Sequence, residues 1–590
     1  MKSLSYLNKY LIKYKWRLLL GVVFIIGSNF FHVNMPLIVK DAVNQFDKNF
    51  DPENWLDLAL SLGGIYILLS LGKGVFLFFT RQTIIIVSRY IEYDLKNEIY
   101  RQYQRLTYNF YKRNNTGDLM NRISEDVTKV RMYLGPGVMY TVNLVILFTF
   151  TIYAMINISG ELTLYTLTPL PIMSFLVYKV SSRMNRQSER VQREQSKIST
   201  IVQESFSGIT VLKAYGGEKR FQKNFDDSAN TYLKKHMDLV KTNAFFMPTI
   251  TFLIGISTIL TIYLGGVLSF ETQNSITEGD IVAFIFYVNM LTWPFASVGW
   301  VTSLVQRAAA SQERINEFLK EEPEIKNNNH QPFNFEGKIT FDNVSYTFKS
   351  SGIEAIRNLS FEIKKGETLA ILGRTGSGKS TVINLLMRQF DPIDGEIRVD
   401  GKPLPTVNIE EFRKQTGVVP QEVFLFSDSI RNNVKFGLSS DQNADDNDVK
   451  NVLKTAHVWH NIEEFKQGLD TVLGERGVNL SGGQKQRVSI ARALIRKPKF
   501  LILDDCLSAV DTETEEIILD NIKDQIEKNT TLIVSHRVSS IRNADHILVL
   551  DNGGKIEEGS HEQLLAKKGV YADMYTKQLL EDAEKGKEEE

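Results

Sequence analysis

A glycine-rich loop between an apolar strand and a helix is the most specific chemical motif in this chain. It lies in the stretch TLAILGRTGSGKSTVINLL, where the apolar run 369–372 leads directly into the loop. Backbone N–H groups of such a loop surround phosphate oxygens, and the start of the next helix adds positive potential. We predict that Lys379 contacts nucleotide phosphates and that Ser380 is a ligand of Mg²⁺. The predicted phosphate-binding residues are Gly373, Arg374, Thr375, Gly376, Ser377, Gly378, Lys379, Ser380 and Thr381.

Two adjacent carboxylates follow a second apolar run, in the stretch LILDDCLSAVD from residue 501 to residue 511. A carboxylate at the tip of a buried strand is a common way to hold Mg²⁺ beside a phosphate. Asp504 is therefore predicted to be a metal ligand. Asp505 stands directly after it and has a shorter side chain than glutamate, which limits the reach of its carboxylate.

A second glycine turn that opens a helix occurs in the stretch NLSGGQKQR, residues 479–487. By the same physics it is a second candidate anion site, although in isolation these residues could form a plain solvent-exposed turn. Its position shortly before the two carboxylates favours a functional role. The core of this motif is Leu480, Ser481, Gly482, Gly483 and Gln484.

These motifs need an α/β domain to bring them together. From about Phe335 onwards, strand-like and helix-like segments alternate with frequent glycine, which is typical of an α/β nucleotide-binding domain. We predict this domain for residues 335–575. A linker is predicted at 321–334 and a charged tail at 576–590, of which the stretch EDAEKGKEEE, residues 581–590, is predicted to be disordered.

The first part of the chain, residues 1–320, is predicted to be an all-α transmembrane domain. Six apolar stretches are each long enough to cross a hydrocarbon core, which takes about 20 residues. They lack the charged face expected of helices in a soluble bundle, the alternative interpretation. The spans are predicted at 18–39, 56–80, 137–157, 161–180, 244–269 and 281–305, after an amphipathic surface helix (the elbow helix) at 1–16.

Loop charges predict the orientation of these spans. The residues before the first span carry five basic side chains, whereas the gaps NISGE and ETQNSITEG contain neither lysine nor arginine. We therefore expect the N-terminus to face the cytoplasm and these two gaps to face outward. The long charged gaps 81–133 and 179–241 are predicted to be cytoplasmic extensions of the membrane helices, with bends at 114–122 and 204–221.

The composition excludes some classes of protein. Lys+Arg and Asp+Glu are both 69, so the formal net charge is +0, and the basic surface of a nucleic-acid-binding protein is not indicated. The single cysteine, Cys506, cannot form an intrachain disulfide, which is typical of a protein whose soluble part faces a reducing compartment.

Together these motifs, in this order behind six spans, resemble a half-transporter of the ABC (ATP-binding cassette) exporter type. The resemblance implies a multidomain fold: a six-helix transmembrane domain with long cytoplasmic helical extensions, followed by an α/β P-loop nucleotide-binding domain. It also implies ATP and Mg²⁺ as cofactors, membrane lipid as surroundings, and location in the cytoplasmic (inner) membrane of a bacterium with the nucleotide-binding domain in the cytoplasm. The two cytoplasmic bends resemble the coupling helices of this family, and no nucleic-acid partner is expected.

The resemblance assigns roles to single residues. Phe348, in VSYTF, matches the aromatic residue that stacks on adenine, with Tyr346 as the alternative on the same strand face. Gln421, in VVPQEVFLF, matches the glutamine that touches Mg²⁺ and senses the membrane domain. Asp504 matches the metal-coordinating aspartate, and His536, in IVSHR, matches the switch histidine that contacts the γ-phosphate. The resemblance thus implies Asp505, His536 and Gln421 as the catalytic residues.

The resemblance also implies a second subunit. In this family two cassettes pair head to tail, so the signature LSGGQ around Ser481 would serve ATP bound on the partner. Asp511, in SAVD, matches the loop that crosses to the partner cassette. One chain with six spans and one cassette is therefore expected to be half of a transporter.

Asp505 stands where the family usually has a catalytic glutamate. Basicity is not the difference, because the reference pKa values are roughly 3.9 and 4.3. The lost methylene withdraws the carboxylate by about 1.5 Å, and an error of about 1 Å can cost on the order of 10²-fold in rate. Asp505 with an intact signature resembles one subunit of a heterodimeric exporter, whose site built on this chain hydrolyses ATP slowly.

The function implied is ATP-driven export of a hydrophobic or amphipathic substrate, drug-like or lipid, by alternating access. The alternatives are a homodimeric lipid flippase or multidrug exporter with two active sites, and an ATP-gated membrane channel. Lys73, inside the second predicted span, is a candidate functional residue because intramembrane charges are rare. It could instead extend its ammonium group toward the cytoplasmic interface.

Overall fold

The computed structural model describes residues 2–48, 55–271, 276–349, 351–439, 442–474, 477, 479–507, 510 and 512–588. The chain divides into two compact units. Unit 1 comprises Met1–Arg105 and Thr116–Glu321, and unit 2 comprises Leu106–Asn115 and Glu322–Glu590. The short segment Leu106–Asn115 thus belongs structurally with the second half of the chain.

Helices are the regular secondary structure in the described part of unit 1. Three π-helical turns, Arg81–Ile85, Arg122–Asp126 and Tyr133–Gly137, connect longer helices without breaking them, and a 3₁₀ turn, Lys2–Leu7, precedes the first helix. The first thirteen helices, of which only α5 belongs to unit 2, are α1 (Asn8–Lys13), α2 (Lys15–Lys48), α3 (Trp55–Thr80), α4 (Ile86–Arg105), α5 (Tyr108–Arg113), α6 (Thr116–Asn121), α7 (Val127–Met132), α8 (Val138–Ile158), α9 (Gly160–Leu167), α10 (Pro169–Ser207), α11 (Ile209–Ala214), α12 (Glu218–Glu271) and α13 (Glu278–Lys320).

Five helical stretches within the described residues are long and apolar enough to cross a membrane. They are Lys15–Gln45, Trp55–Arg105, Thr116–Ile158, Glu218–Phe270 and Glu278–Lys320. The predicted fourth span, 161–180, falls on α9 and the beginning of α10 and is not among the five. That span therefore stays a prediction, as do the predicted domain boundaries.

Side chains of α13 form much of the core of unit 1. Phe284, Tyr287 and Leu291 are fully buried, and the Tyr287 hydroxyl donates to the Val33 carbonyl oxygen at 3.0 Å. Further along α13, Ser311 and Arg314 donate hydrogen bonds to the buried carboxylate of Asp126. A buried carboxylate is tolerated when it is paired in this way.

The amphipathic start of the chain is fixed to α4 by ion pairs. Lys9 Nζ lies 2.7 Å from Glu98 Oε1, and Lys13 Nζ lies 2.6 Å from Asp94 Oδ2. On the exposed side, Ile12 and Trp16 are largely solvent-accessible. An apolar exposed face beside basic residues is typical of a helix that lies in the membrane interface.

The described residues of unit 2 form two sheets. A four-stranded antiparallel sheet has the order β2-β1-β4-β5, and a six-stranded sheet has the order β10-β9-β3-β8-β7-β6, parallel except for β10. The strands are β1 (Ile339–Thr347), β2 (Glu354–Ile363), β3 (Thr368–Gly373), β4 (Asp394–Val399), β5 (Lys402–Pro403), β6 (Thr416–Val419), β7 (Phe500–Asp504), β8 (Thr530–Ser535), β9 (His546–Asp551) and β10 (Gly554–Gly559).

Helices cover the larger sheet of unit 2. Strands β3, β7 and β8 are buried along their whole length, as expected for parallel strands with both faces covered. The remaining helices are α14 (Lys379–Leu386), α15 (Ile409–Lys414), α16 (Ile430–Lys435), α17 (Asp446–Thr455), α18 (Trp459–Glu463), α19 (Gly482–Leu494), α20 (Thr512–Lys528), α21 (His561–Lys567) and α22 (Val570–Glu588). The prediction of a disordered tail was wrong up to Glu588, because α22 continues through residues that favour a helix. Because β3, β7 and β8 are adjacent and parallel, the loops after them meet at one edge of the sheet.

Candidate nucleotide-binding site

The phosphate loop lies between β3 and α14, as the sequence predicts. Gly376 and Gly378 have φ values of +85° and +103°, which favour glycine. A Cβ on Gly378 would lie 2.5 Å from the Ala355 carbonyl oxygen, whereas a Cβ on Gly376 would meet nothing within 4 Å. The first glycine therefore keeps the backbone open toward the solvent, and the second lets the loop pack against β2.

Lys379 bends back over the loop. Its Nζ donates to the carbonyl oxygens of Gly373 at 2.6 Å and Arg374 at 2.9 Å. Burial lowers the pKa of Lys379, which the negative charges of the two aspartates oppose. A lysine that donates to neutral carbonyl oxygens can donate to charged phosphate oxygens instead. The position of Lys379 therefore fits a nucleoside triphosphate.

The same loop contains a buried hydroxyl group, that of Ser377. Ser377 is buried, and its Oγ has no hydrogen-bond partner within the described part of the chain. A buried polar atom without a partner is unfavourable. A phosphate group in the loop would relieve that cost, which is a second observation that fits a nucleotide.

Asp504 lies at the carboxyl end of β7, next to the first residues of α14. Burial and the neighbouring charge of Asp505 raise the pKa of Asp504 to about 6, while Lys379 and a hydrogen bond from Ser380 act in the opposite direction. A buried carboxylate beside a hydroxyl oxygen is a set of hard oxygen ligands of the kind that Mg²⁺ prefers. Ser380 and Asp504 therefore fit a bound Mg²⁺ ion.

Asp505 is held by two side chains from neighbouring loops. His536 Nδ1 lies 2.8 Å from Oδ1 and 2.9 Å from Oδ2, and Gln421 Nε2 donates to Oδ2 at 3.3 Å. The backbone of Asp505 has φ +47° and its N–H donates to the Val534 carbonyl oxygen at 2.7 Å. The three predicted catalytic residues are therefore in mutual contact through one carboxylate.

A cavity of about 600 Å³ unites most of the predicted site. Its size is within the range of ligand pockets. The predicted residues that line it are Phe348, Thr375, Gly376, Gly378, Lys379, Ser380, Thr381, Gln421, Asp504, Asp505 and His536. The phosphate loop, the two carboxylates and the predicted base-stacking ring thus face one space.

Phe348 rather than Tyr346 faces this cavity. The Tyr346 side chain is 7% exposed and stacks on Phe390 with ring centroids 5.1 Å apart. Phe348 follows β1 directly, is only partly buried and lines the cavity. Of the two aromatic candidates, Phe348 is the one whose ring is available to a nucleotide base.

The signature residues form a capped helix start away from this cavity. Ser481 Oγ accepts from the Gln484 N–H at 3.3 Å, and Gln484 Oε1 accepts from the Ser481 N–H at 3.0 Å. This capping box fixes the beginning of α19. Within the described part of the chain, residues 480–484 do not line the cavity, so the phosphate loop and the signature of one chain form separate surfaces. Asp511, the predicted crossing-loop residue, lies outside the described residues.

Sequence reasoning missed part of the cavity wall. Residues at the start of β2 and in the turn after β9 also line it: Ile353, Glu354, Ala355, Arg357, Asn552 and Gly553. The turn DNGG is the sequence signal that could have indicated this wall. In the structure Gly553 has φ +79°, and its N–H donates to the Ser377 carbonyl oxygen at 3.2 Å. The turn therefore supports the phosphate loop from behind.

Comparison with known proteins decides the family. The profile of the ABC transporter transmembrane region matches residues 18–295, and that of the ABC transporter domain matches residues 356–508. The probable multidrug resistance ABC transporter ATP-binding/permease protein YheI of Bacillus subtilis (strain 168) is 34% identical over 97% of each chain. The chain belongs to the ABC transporter family.

Other relatives of this ABC transporter cover both of its halves as well. The ATP-dependent lipid A-core flippase of Alcanivorax borkumensis is 32% identical over 91% of each chain. A solved structure, that of a bacterial Atm1-family ABC exporter with ATP bound, has a TM-score of 0.78 and 26% identity and covers 96% of this chain and 99% of its own. The predicted family and fold class are thereby confirmed, and the protein is a transport ATPase with a helical transmembrane domain followed by an α/β nucleotide-binding domain.

Proposed function

We propose that this ABC transporter is one subunit of a heterodimeric exporter, in which the ATP site built on this chain hydrolyses ATP slowly. The exporter lies in the cytoplasmic (inner) membrane of a bacterium, with the N-terminus and the nucleotide-binding domain in the cytoplasm. Its substrate is hydrophobic or amphipathic, a drug-like molecule or a lipid. The observation that supports the proposal is that the short side chain of Asp505 is hydrogen-bonded to His536 and Gln421.

The carboxylate of Asp505 already accepts hydrogen bonds from neighbouring side chains. Glutamate in its place would extend about 1.5 Å further toward a bound phosphate, whereas Asp505 stays within hydrogen-bond distance of His536 and Gln421. A general base must reach the attacking water to act on it. A carboxylate that is shorter and hydrogen-bonded elsewhere supports binding of MgATP with little hydrolysis.

The residues that bind ATP are nevertheless complete. Lys379 would contact the phosphates, Ser380 and Asp504 would hold Mg²⁺ with Gln421 nearby, and Phe348 would stack on the base. His536 Nδ1 lies within hydrogen-bond distance of both carboxylate oxygens of Asp505, which fixes the imidazole ring. Asp505 in this chain therefore serves to orient His536.

A second subunit follows from the separation of phosphate loop and signature. The capped start of α19 offers backbone N–H groups and a helix N-terminus, which suit an anion, but it does not face the cavity of its own chain. We place Ser481 and its neighbours at the ATP site of the partner, which carries the catalytic glutamate. The intact signature of this chain then completes the fast site.

The bend between α10 and α12 supports a partner as well. None of the residues of α11 is buried, although several of its apolar side chains and those that flank it are large. Exposed apolar tips of this kind indicate an interaction surface. The exposed side chains are Phe206, Ile209, Val211 and Tyr215. We propose that the nucleotide-binding domain of the second subunit covers them.

Transport then follows from differential binding. A nucleotide held between two chains binds the closed pair better than the open pair, and only such a difference can drive a conformational change. Closure would turn the membrane cavity from inward-facing to outward-facing, and hydrolysis at the fast site would reverse it. The two cytoplasmic bends predicted at 114–122 and 204–221 would carry the movement between the nucleotide-binding and transmembrane domains.

The substrate class rests on relatives and on Lys73. One relative is named a probable multidrug resistance ABC transporter and another an ATP-dependent lipid A-core flippase. Lys73 in α3 is half-buried beside α2, where Ser28 Oγ donates to its carbonyl oxygen at 3.3 Å. We propose that Lys73 contacts the anionic part of amphipathic substrates. Unchanged transport of both anionic and neutral substrates by Lys73→Met would contradict that role.

Expression of this chain alone tests the proposal. In lipid nanodiscs the chain is expected to bind MgATP but to show little turnover until the partner subunit is added. A stable dimer of this chain alone, with full ATPase activity and transport, would establish the homodimeric alternative. Ion current that follows ATP or a non-hydrolysable analogue without turnover would establish an ATP-gated channel instead.

A further inference from the structure

The segment Leu106–Asn115 lies in unit 2, although it is far from the rest of that unit in sequence. Its helix α5 is anchored to Glu324, a residue of the linker before β1. Asn109 Nδ2 donates to Glu324 Oε2 at 2.7 Å, and Arg113 pairs with the other carboxylate oxygen. Burial would raise the pKa of Glu324, but these two donors outweigh it and lower the pKa. The segment is thus attached to unit 2 by hydrogen bonds and an ion pair to Glu324.

Lys112 makes a different kind of contact. Its Nζ lies 5.2 Å from the ring centroids of both Tyr108 and Phe348, and 5.9 Å from that of Phe390. Distances up to about 6 Å over a ring face are those of cation–π interactions. Within the described part of the chain, Lys112 has no carboxylate at ion-pair distance. Its positive charge is therefore directed at aromatic rings.

The rings around Lys112 form one aromatic cluster, which we define as Tyr108, Tyr346, Phe348 and Phe390. Phe348 and Phe390 meet edge to face at 5.8 Å, Phe348 and Tyr346 edge to face at 5.1 Å, and Tyr108 and Phe390 at 6.1 Å. Such packing limits the orientations that each ring can adopt. A change at one ring of the cluster is therefore felt by the others and by Lys112.

Only Phe348 of this cluster lines the nucleotide cavity, and Lys112 does not line it. The ring of Phe348 consequently has two neighbours of different kinds: the space for the base, and the ammonium group of a residue in the segment Leu106–Asn115. When two partners contact the same ring, each affects how strongly the other binds it. Because Lys112 holds the ring on which the base would stack, Lys112 influences the affinity for ATP.

We propose that Lys112 is a positioning residue for the nucleotide base: its ammonium group holds the ring of Phe348 and links occupation of the base site to the segment Leu106–Asn115. The inference rests on the proposed function in that Phe348 is taken as the base-stacking ring. It adds a residue outside the cassette motifs that responds to the base and not to the phosphates. Lys112 touches neither the phosphates nor the reacting atoms, so it is not catalytic.

The test separates base from phosphate. Equilibrium binding of MgATP and of magnesium tripolyphosphate, which has no base, is measured on the full chain in nanodiscs. Lys112→Met, which keeps the length but removes the charge, is expected to weaken ATP binding by about two- to fivefold, the range of an exposed cation–π contact. Tripolyphosphate binding is expected to stay unchanged, and Lys112→Arg is expected to retain the affinity for ATP.

Two control variants make the result decisive. Lys466→Met, at an exposed lysine of unit 2 outside the cavity, is expected to change neither affinity. In a Phe348→Leu background, Lys112→Met is expected to have no further effect, because the two residues act through one ring. Equal weakening of ATP and tripolyphosphate, an unchanged affinity for ATP, or additive effects would overturn the inference.

The same measurements distinguish failure of this inference from failure of the proposed function. If Phe348→Leu leaves ATP binding intact while Lys379→Met abolishes it, the base does not stack on Phe348 and only the inference on Lys112 falls. If ATP still binds to Lys379→Met with unchanged affinity, the phosphate site itself is wrong and the proposed function falls.

Discussion

Replacement of Asp505 by glutamate is expected to accelerate hydrolysis at the site built on this chain. The aspartate carboxylate lies 2.8 to 2.9 Å from His536 Nδ1 and 3.3 Å from Gln421 Nε2, so it is oriented but short. An added methylene extends it by about 1.5 Å. Because a misplacement of about 1 Å costs on the order of 10²-fold in rate, we expect Asp505→Glu to raise the single-turnover rate by up to about 10²-fold.

The same substitution has a cost in stability that can be measured separately. Asp505 has φ +47°, in the left-handed region, where aspartate is tolerated better than glutamate. The added strain is on the order of 1 kcal/mol, which corresponds to a fall in melting temperature of about 2–4 °C for a domain of this size. A gain in rate together with a small loss in stability would identify reach, and not a general improvement of the fold, as the cause.

The assay uses the complex of this chain with the proposed partner subunit, in which the proposed catalytic glutamate of the partner has been replaced by glutamine. Single-turnover hydrolysis with protein in excess over ATP then reports the slow site alone. Asp505→Asn, which keeps the size but removes the charge, is the matched control and is expected to hydrolyse no faster than the wild type. An unchanged or reduced rate in Asp505→Glu, or loss of all turnover of the unmodified complex in Asp505→Ala, would refute the reasoning.

Three further predictions concern other parts of unit 2. Ser481→Ala is expected to lose about 1 kcal/mol of helix capping and to slow hydrolysis at the partner's site, while Ser481→Thr retains both; equal single-turnover rates of Ser481→Ala and wild type would contradict this. Cys506 is 3% exposed and burial raises its pKa, so alkylation followed by mass spectrometry should show protection until the domain unfolds, and rapid labelling of the native protein would contradict that burial. Because the pKa of Glu324 is lowered from 4.5, its contribution to stability is present above pH 4.5 and lost as the pH falls through the lowered value; Glu324→Gln should reduce the acid dependence of the unfolding free energy, and an unchanged acid dependence would argue against the anchor.

Local motifs in the sequence were sufficient to predict many of the residues that line the cavity of the candidate nucleotide site. The strand–loop–helix pattern around Lys379 and the carboxylate after β7 depend on residues close together in the chain, and both line the cavity as expected. The contact between Asp505 and His536 depends on β7 and β8 being neighbours, and a sequence motif contains no distance between two loops. The left-handed backbone of Asp505 was not predictable either, because it is set by packing around the loop.

The cavity wall formed by β2 and the turn after β9, and the contacts of α5, were not predicted from the sequence. Ala355 and Gly553 contribute backbone and not side-chain chemistry, so their residue types carry little signal. The segment around Lys112 lies more than two hundred residues before Phe348 in the chain, and its sequence alone reads as a connector between helices. Only the fold brings its charge to the aromatic cluster of unit 2.

The identity of the nucleotide on each subunit during turnover is the most direct test of the proposed slow site. The complex of this chain with the proposed partner subunit turns over a photoreactive ATP analogue that is labelled at the α-phosphate. The complex is then crosslinked, and the two subunits are separated. We predict mainly intact triphosphate on this chain, crosslinked beside Phe348 and Lys379, and diphosphate on the partner. Diphosphate in equal amounts on both subunits, formed at equal rates, would contradict the proposal that Asp505 makes a slow site.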